Sequence, residues 1–428
     1  LDDAEIGRIS AASSIVIGED SVQGAGPVET NLTTVEFSGV TGLTATEINA
    51  NAGAGGVYLN DEDSAPALQV GSGTITINAG TGNILAAGFS YPDPNYDTAQ
   101  PELQTTGTIN LSINSTTAGQ VGADQPSSPD PGDRLGPIQI QTGHTVVNVT
   151  DAPDGVWLEG LGGDIVVGTI SGNVGQSVFT IFEAGTFIRL TEDITTSGQN
   201  IVFNRPVRLD EDGVTLSTGS GTGGDIEFAE TLDSQDDGAG NGEGNNLILI
   251  AGTGNVQFRG SVGRNGSEFA AGNGFEDPPL GAIDIQSAAE VSIEDGLTTR
   301  PGSTATGAGL TVTNGGLLTI VDTWDPSDDG IGDAEAREDQ SDADLDLDGA
   351  FNQDGSGGVS IAGDITTSGD TIDFTGAVSL TGNVALDTGT GADVSFGDDA
   401  TIGDDGNGPW DLTVDAPGSA ISFGATSG

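Results

Sequence analysis

Residues 193–203 read DITTSGQNIVF, and the same pattern returns at residues 364–374 as DITTSGDTIDF. The match continues beyond this shared start. The sequence VRLDEDGVTLSTGSGTGGDIEF from Val207 aligns with VSLTGNVALDTGTGADVSF from Val378, and NVQFRGSVG at 255–263 aligns with AISFGATSG at 420–428. A long repeat built from short apolar runs and Gly, Asp and Asn turns is typical of a fold in which each unit stacks on its neighbours.

Strand-like segments recur along the whole chain. Examples are GTITINAG (73–80), GTINLSIN (107–114) and LTVTNGGLLTIVD (310–322), in which apolar residues alternate with Thr, Ser, Asn or Asp. Alternation with a period of two, together with Gly and Asn between segments, predicts β-strands joined by tight turns. A disordered chain, which 71 glycines could otherwise indicate, lacks this alternation.

Two β architectures fit short strands with short turns: a sandwich of hairpins and a solenoid. The internal repeat favours the solenoid, in which each coil stacks about 4.8 Å above the one before it. We therefore predict an all-β fold, a right-handed parallel β-helix (β-solenoid) with acidic loop insertions. Each coil should take about 20–25 residues, with Val, Ile, Leu and Ala filling a thin interior.

The organisation along the chain follows from where this rhythm is interrupted. Residues 1–321 are predicted to form solenoid coils with Pro- and Gly-rich loop insertions. Residues 322–358 are predicted to be an Asp-rich insertion. Residues 359–428 return to solenoid coils as a partial copy of the 193–263 repeat, and the chain stops inside that repeat.

The charge of the chain excludes several classes of partner. There are 65 acidic residues against nine arginines and no lysine, a net charge of −56. Nucleic acids and anionic membranes require Lys and Arg to neutralise phosphate, so we expect neither as a partner. No apolar run reaches the roughly 18 residues of a membrane helix, and without cysteine there is no disulfide. Such acidity suits high salt or divalent-rich water, or serves solubility alone.

Two groups of residues in the Asp-rich segment have the spacing of calcium loops. In such a loop, alternate residues supply oxygen ligands that converge on one ion, and a glycine follows them. In this sequence Gly355 replaces the glutamate expected at position 12 of the loop. The candidate ligands are Asp344, Asp346, Asp348, Asn352 and Asp354 in one group, and Asp325, Ser327, Asp329 and Asp333 in the other. Calcium would convert repulsion between carboxylates into a crosslink; the alternative is a solvated acidic loop.

Catalysis is not predicted. His144 is the only histidine and lacks a Ser or Cys partner pattern. Paired carboxylates, which some polysaccharide-cleaving β-helix enzymes use, arise here by chance among 65 acids. Shorter acidic turns at Asp236, Asp237 and Asn241, and at Asp404, Asp405 and Asn407, are interpreted as solvated loops.

Several phrases resemble the repeats of filamentous-haemagglutinin-like giant bacterial surface proteins. They cover about two thirds of the chain and include GAGGVYLND (53–61), NLILIAGTGNVQFRGSVG (246–263), LGAIDIQSA (280–288), GDITTSG (363–369) and VSLTGNVALDTGTG (378–391). The resemblance implies a secreted β-solenoid at the cell surface or outside the cell. It implies roles in adhesion or matrix building, and no active site.

The functional expectation is an extracellular structural protein, a β-solenoid subunit of a cell-surface or matrix fibre. Its partners would be further copies of itself, with cell-surface glycans as a second possibility. A solenoid exposes backbone N–H and C=O groups at its ends, so a coil end without a cap either docks on another copy or belongs to a longer chain. The alternatives are a stalk of a monomeric giant adhesin and, third, a polysaccharide-active β-helix enzyme.

Overall fold

Strands of two to seven residues separated by turns make up the regular structure. The computed structural model describes residues 14–17, 34–38, 40–43, 47–52, 56–60, 66–87, 101–113, 115, 118–122, 138–141, 146–152, 154–161, 165–171, 179–182, 188–235, 244–263, 279–301, 308–321, 344–397 and 401–424. These residues contain no helix. The chain divides into two units, Leu1–Arg205 (unit 1) and Pro206–Gly428 (unit 2).

Many strands of unit 1 alternate apolar and polar residues, as the sequence predicts, while residues 84–86, 156–158 and 165–167 are apolar and buried at consecutive positions. In chain order they are β1 (Ser14–Ile17), β2 (Thr34–Ser38), β3 (Val40–Leu43), β4 (Glu47–Asn51), β5 (Gly56–Asn60), β6 (Leu68–Val70), β7 (Thr74–Asn78), β8 (Ile84–Ala87), β9 (Leu103–Gln104), β10 (Thr108–Ser112), β11 (Gln120–Val121), β12 (Ile138–Gln141), β13 (Val146–Thr150), β14 (Gly155–Leu161), β15 (Ile165–Ser171), β16 (Phe179–Phe182), β17 (Ile188–Leu190), β18 (Ile194–Thr195) and β19 (Ile201–Phe203).

Each strand of unit 1 pairs in parallel with a strand of a neighbouring coil. One face runs β1, β4, β7, β10, β13, β15, with β17 and β18 both paired to β15. A second face runs β2, β5, β8, β11, β14, β16, β19. A third runs β3, β6, β9, β12 and the second half of β14. Apart from β17 and β18, consecutive strands therefore go to different faces, which is the pattern of a solenoid.

Unit 2 repeats the same kind of strand at shorter intervals. Its strands are β20 (Val207–Leu209), β21 (Val214–Ser217), β22 (Ile226–Phe228), β23 (Leu232–Ser234), β24 (Leu247–Ile250), β25 (Val256–Phe258), β26 (Ile283–Ala288), β27 (Val291–Ile293), β28 (Leu297–Thr299), β29 (Leu310–Asn314), β30 (Leu318–Ile320), β31 (Leu345–Leu347), β32 (Phe351–Gln353), β33 (Val359–Ile361), β34 (Ile365–Thr367), β35 (Ile372–Phe374), β36 (Val378–Leu380), β37 (Val384–Asp387), β38 (Val394–Phe396), β39 (Ile402–Asp404), β40 (Leu412–Asp415) and β41 (Ile421–Phe423).

The strands of unit 2 form three parallel faces. Face A runs β21, β24, β26, β29, β32, β35, β38, β41. Face B runs β22, β25, β27, β30, β33, β36, β39. Face C runs β28, β31, β34, β37, β40, and bridges through Val262 connect β23 to β28. The predicted all-β fold of stacked parallel strands is confirmed.

The length of a coil can be read from the register of face A. Phe351 pairs with Ile372, which in turn pairs with Val394, so the chain returns to the same place on the face at nearly equal intervals. The step from Leu310 to Phe351 is about twice as long, because a longer segment joins the strands of that coil. These two shorter steps agree with the coil length that the sequence predicts, but the step from Leu247 to Ile283 is 36 residues, so coil length varies along the face.

The boundaries of the Asp-rich segment differ from the prediction. Residues 344–358, which we predicted as part of the insertion, contribute β31 to face C and β32 to face A. Leu345 and Leu347 are buried while Asp346 between them is half-buried. The carboxylates occupy outward strand positions, so their density in the sequence hid an ordinary coil. Residues 322–343 lie outside the described residues.

A buried amide pair lies among the apolar side chains in the interior of unit 2. Gln353 takes an inward position on β32 and is 1% exposed, as is Asn314. Its Nε2 donates to Asn314 Oδ1 at 2.8 Å and to Gly355 O at 3.0 Å, and its Oε1 accepts from Gly376 N at 2.7 Å. The pair therefore satisfies backbone groups of turns in neighbouring coils.

Glycines allow these turns to stack closely. A Cβ on Gly357 would lie 1.6 Å from Gly316 O, and one on Gly376 would lie 1.9 Å from Gly357 O. Both distances are impossible for a side chain, so the turns of three successive coils need glycine where their backbones meet.

We expect Gln353→Leu to lower the free energy of unfolding by about 1–3 kcal/mol, because Gly376 N and Asn314 Oδ1 lose a buried partner. Urea unfolding followed by circular dichroism measures this change. Gln257→Leu is the matched control, since Gln257 is at an outward, half-buried strand position; we expect less than about 0.5 kcal/mol there. Equal effects of the two substitutions would contradict the role of the amide pair.

Among the described residues, no helix has the length and apolar character needed to cross a membrane.

Candidate functional site

The first predicted calcium group is spread along a strand. Asp344, Asp346 and Asp348 are at and beside β31, while Asn352 is outward on β32 and Asp354 is exposed after it. In an extended strand, every second residue points the same way at intervals of about 6.6 Å. The three aspartates therefore lie in a row rather than around one point.

Two of these aspartates bond to neighbouring coils. Asp346 forms an ion pair with Arg300, whose Nη1 also donates to Asp346 O at 3.2 Å. Asp344 Oδ2 accepts a hydrogen bond from Asp364 N at 2.8 Å. The described residues contain no group of three or more His, Cys, Asp or Glu side chains arranged to hold a metal ion. The second group, Asp325, Ser327, Asp329 and Asp333, lies outside the described residues, as does His144.

Asp and Asn side chains recur at the corners of the solenoid, one or two residues before a strand begins. At such a corner, the side-chain oxygen of one coil accepts the backbone N–H at the equivalent corner of the next coil. We call this a corner clasp. In unit 2 the acceptor–donor pairs are Asp212–Asn246, Asn246–Ala282, Asp225–Asn255, Asn255–Glu290, Asp344–Asp364, Asp364–Ala385, Asn383–Asp411 and Asp393–Ala420.

Corner clasps form before strands on all three faces of unit 2, and their N···O distances lie between 2.6 and 3.1 Å. Unit 1 has one at Asn83, whose Oδ1 accepts from Gln120 N at 3.0 Å. Since the charged Asp and the neutral Asn serve equally, the acceptor oxygen rather than the charge defines the position. Part of the acidity is therefore structural.

Our reading of the sequence missed the corner clasps, although the signal is visible. Asp or Asn directly precedes the apolar strand residue in GDIEF (224–228), GNVQF (254–258), GDITT (363–367) and GADVSF (391–396). From the sequence alone, these Asp and Asn residues are expected to form turns or to be solvated. Only the stacking of coils shows that their oxygens meet the next coil.

We expect Asp364→Ala to lower the free energy of unfolding by about 1–2 kcal/mol, because Ala385 N loses its acceptor at 2.6 Å. Asp364→Asn retains an oxygen and should stay within about 0.5 kcal/mol of wild type. Urea unfolding checks both values, with the exposed Asp354→Ala as a control for removing one charge. If Asp364→Asn loses as much as Asp364→Ala, the clasp does not act through its oxygen.

A second feature of unit 2 is the coil formed by β39, β40 and β41. Its inward positions lie at least partly exposed instead of buried, and five of the six are apolar. We call these six residues the exposed coil face: Ile402, Asp404, Leu412, Val414, Ile421 and Phe423. Phe423 is 63% exposed and Ile421 is 45% exposed, the two largest values among the described large apolar residues.

Phe423 belongs to a column of stacked rings inside face A. The Phe374 and Phe396 centroids are 5.4 Å apart with an interplanar angle of 9°, and those of Phe396 and Phe423 are 5.1 Å apart at 5°. Identical residues in register on parallel strands stack in this way because each ring lies directly over its partner. One side of Phe423 is thus covered and the other is exposed.

Asp404 differs from the other five residues of the exposed coil face. It pairs in register with the buried Leu380, so its backbone occupies an inward position of face B. Its Oδ1 accepts a hydrogen bond from Gly406 N at 2.9 Å, at the start of the turn Asp404–Gly408. A carboxylate in this column disfavours an apolar neighbour at that point of the face.

The turn that follows Asp404 is held together by its own side chains. Asp405 Oδ1 accepts from the Trp410 indole N–H at 3.0 Å and from Asn407 N at 2.9 Å. The Trp410 hydrogen bond, followed by those from Asn407, holds the pKa of the fully exposed Asp405 below its usual value of 3.8. The acidic turn predicted as a solvated loop is therefore exposed and internally hydrogen-bonded.

Trp410→Phe should raise the pKa of Asp405 toward 3.8, because it removes the hydrogen bond that lowers this pKa most. A depressed pKa means that these hydrogen bonds are present at neutral pH and are lost as the pH falls through the folded value, below 3.8. Carbon-detected NMR titration of the Asp405 carboxyl group measures the shift, with Thr413→Ser in the neighbouring strand as control. An unchanged pKa in Trp410→Phe would refute this assignment.

Comparisons with protein-family models, curated proteins and solved structures gave no match for this chain.

Proposed function

We propose that the protein is an extracellular structural protein, a right-handed β-solenoid with acidic loop insertions that serves as a subunit of a cell-surface or matrix fibre and mediates adhesion or assembly. The observation that carries the proposal is the parallel pairing between successive coils with like side chains in register, as in the ring column of Phe374, Phe396 and Phe423. A coil of this kind accepts another β-coil through backbone pairing and apolar burial, whether that coil belongs to the same polypeptide or to a second copy.

Docking of a second copy on the exposed coil face would generate a fibre. The contact would join two different surfaces of the same chain, and heterologous contacts that do not close produce open assemblies. Phe423 would then continue the ring column of Phe374 and Phe396 into the next subunit. Asp404 would require a polar partner or water there.

The net charge of −56 opposes such docking, since subunits with this charge repel each other over a Debye length of about 8–10 Å at moderate salt. Calcium would reduce the repulsion, and we propose Asp325, Ser327, Asp329 and Asp333 as its ligands. Assembly should accordingly depend on divalent cations or on high ionic strength.

The alternative is a stalk within a giant adhesin. In that case a coil of the same polypeptide covers the exposed coil face, and a single chain provides the length. The internal repeat favours either arrangement, because repeats that bury one another extend equally within a chain or between chains.

We expect the purified chain to form elongated assemblies at micromolar concentration in physiological saline with calcium. Phe423→Asp should shift it to monomer, since a carboxylate replaces the ring that would be buried. Light scattering coupled to size-exclusion chromatography, with negative-stain imaging, gives the readout. EDTA should weaken the wild-type assembly.

Thr413→Asp is the matched control, because Thr413 lies on the same coil but at an outward, exposed position. It should assemble like wild type. Dispersed monomers of the wild-type chain, both with calcium and at high salt, would overturn the fibre and leave the stalk.

A further inference from the structure

The sequence contains five Asn-Gly pairs, and the structure describes two of them, at 314–315 and 407–408. The pairs at 241–242, 265–266 and 273–274 lie outside the described residues. An asparagine followed by glycine can react with itself, because the glycine N–H attacks the asparagine side chain and no Cβ on the glycine hinders the approach. The two described pairs therefore allow the same chemistry, and only their surroundings differ.

The first pair is buried, and both of its reacting groups are engaged. Asn314 is 1% exposed, and its Nδ2 donates to Gly316 O at 2.8 Å while its Oδ1 accepts from Gln353 Nε2 at 2.8 Å. Gly315 N donates to Ala288 O at 2.9 Å. The coil must therefore open before the Gly315 nitrogen can reach the Asn314 side chain.

The second pair lies in a turn that is longer than its counterpart in the preceding coil. Leu380 pairs with Asp404, and Asn383 Oδ1 accepts a hydrogen bond from Asp411 N at 3.0 Å, so these positions of the two coils correspond. Two residues separate them in the first coil and six, residues 405–410, in the second. The additional residues have no position in the preceding coil on which to stack, so they extend sideways from the corner. We call residues 405–410 the projecting turn.

The reacting groups in the projecting turn are accessible. Asn407 is exposed, and its side chain is held beside its own backbone by Asp405, whose Oδ2 accepts from Asn407 Nδ2 at 2.5 Å and whose Oδ1 accepts from Asn407 N at 2.9 Å. Within the part of the chain that the structure describes, Gly408 N has no hydrogen-bond acceptor. The Gly408 nitrogen can therefore lose its proton to solvent, whereas the Gly315 nitrogen is bonded inside the stack.

We propose that the Asn-Gly pair at 407–408 is a site of spontaneous covalent modification, at which Asn407 is converted to aspartate and isoaspartate in the folded protein. The reaction is a deamidation, and water is its only co-reactant. It requires neither a fibre nor a partner molecule.

The deamidation takes place in two steps. Gly408 N loses its proton to hydroxide and forms a bond to Asn407 Cγ. The Cγ–Nδ2 bond then breaks as the nitrogen takes a proton from water and leaves as ammonia. Water opens the resulting five-membered imide. Opening at the side-chain carbonyl gives aspartate, and opening at the backbone carbonyl gives isoaspartate, in which the main chain runs through the former side chain.

Either product changes the projecting turn through Asp405. A carboxylate oxygen replaces the Nδ2 donor of Asn407, so Asp405 loses a hydrogen bond and gains a like charge beside it. Both changes raise the pKa of Asp405. Asp404 and Asp411 at the two ends of the turn remain bonded to the preceding coil, so the stack keeps its pairing while its surface gains a negative charge.

The test is peptide mass spectrometry of the full chain after incubation in mildly alkaline buffer, with and without urea. Water that carries a heavy oxygen isotope labels the new carboxyl group, which distinguishes deamidation during incubation from deamidation during sample preparation. We expect Asn407 to react at least about tenfold faster than Asn314 in the folded chain, because Asn314 reacts only in molecules whose coil has opened. In urea the two residues should react at similar rates.

Two variants of Asn407 separate the chemistry from its consequence. Asn407→Gln is the matched control, since its longer side chain would have to close a six-membered ring, and it should stay intact under the same conditions. Asn407→Asp imitates the aspartate product. It should raise the pKa of Asp405 in an NMR titration and keep the unfolding midpoint of wild type.

Circular dichroism verifies that each chain stays folded in buffer, and repeating the incubation with the Phe423→Asp chain keeps the rates independent of assembly. Equal rates at Asn407 and Asn314 in the folded chain would overturn the proposal, because the surroundings would then not select the site. It is also overturned if Asn407 stays intact in buffer while it reacts in urea, since the turn would then protect it, or if neither residue reacts in urea.

Discussion

Parallel pairing between successive coils is the interaction on which each unit depends. The backbone N–H groups at the strands bond to the neighbouring coil rather than to their own, as Leu310 N does to Ala350 O and Phe351 N does to Thr371 O, at 2.9 and 3.0 Å. A single coil therefore has no way to satisfy its own backbone. The apolar interior of a single coil is also too thin to stabilise that coil. Each coil is therefore stable only when it is paired with its neighbours.

This dependence explains where the polar residues of the interior and corners lie. Corner clasps at Asp225 and Asp364 give a backbone N–H of the next coil its acceptor. Gln353 does the same for a turn from inside the solenoid. These side chains fix the register of one coil on the next. In that register, phenylalanine rings of successive coils stack on one another. Some acidic residues of this chain therefore stabilise the stack of coils, in addition to the effect of charge on solubility and on the choice of partners.

Distribution of charge, more than its total, gives the surface its chemical character. Outward strand centres carry Asp373 on face A and Asp346 on face C, while uncharged residues occupy others on every face, such as Ser395 on face A and Ser360 on face B. An outward position places no demand on packing, so either residue type folds equally well there.

The D-x-D-x-D-G segment at 344–349 shows where sequence reasoning reaches its limit. The same spacing describes a loop that wraps an ion and a strand with aspartates on one side and leucines on the other. Leu345 and Leu347 carry the strand signal, but the density of Asp around them concealed it. The neighbouring coil decides between the two, because it pairs Leu345 with Leu297 and Leu347 with Thr299 and supplies Arg300 to Asp346.

The sequence by itself determined the all-β class and the stacked repeat, since period-two alternation and a long internal repeat follow directly from residue order. The tertiary structure alone decided which strands share a face and which Asp and Asn oxygens reach the next coil. Those relations join residues that are one coil or more apart along the chain. They depend on how many residues each turn and loop takes up, which local pattern does not specify.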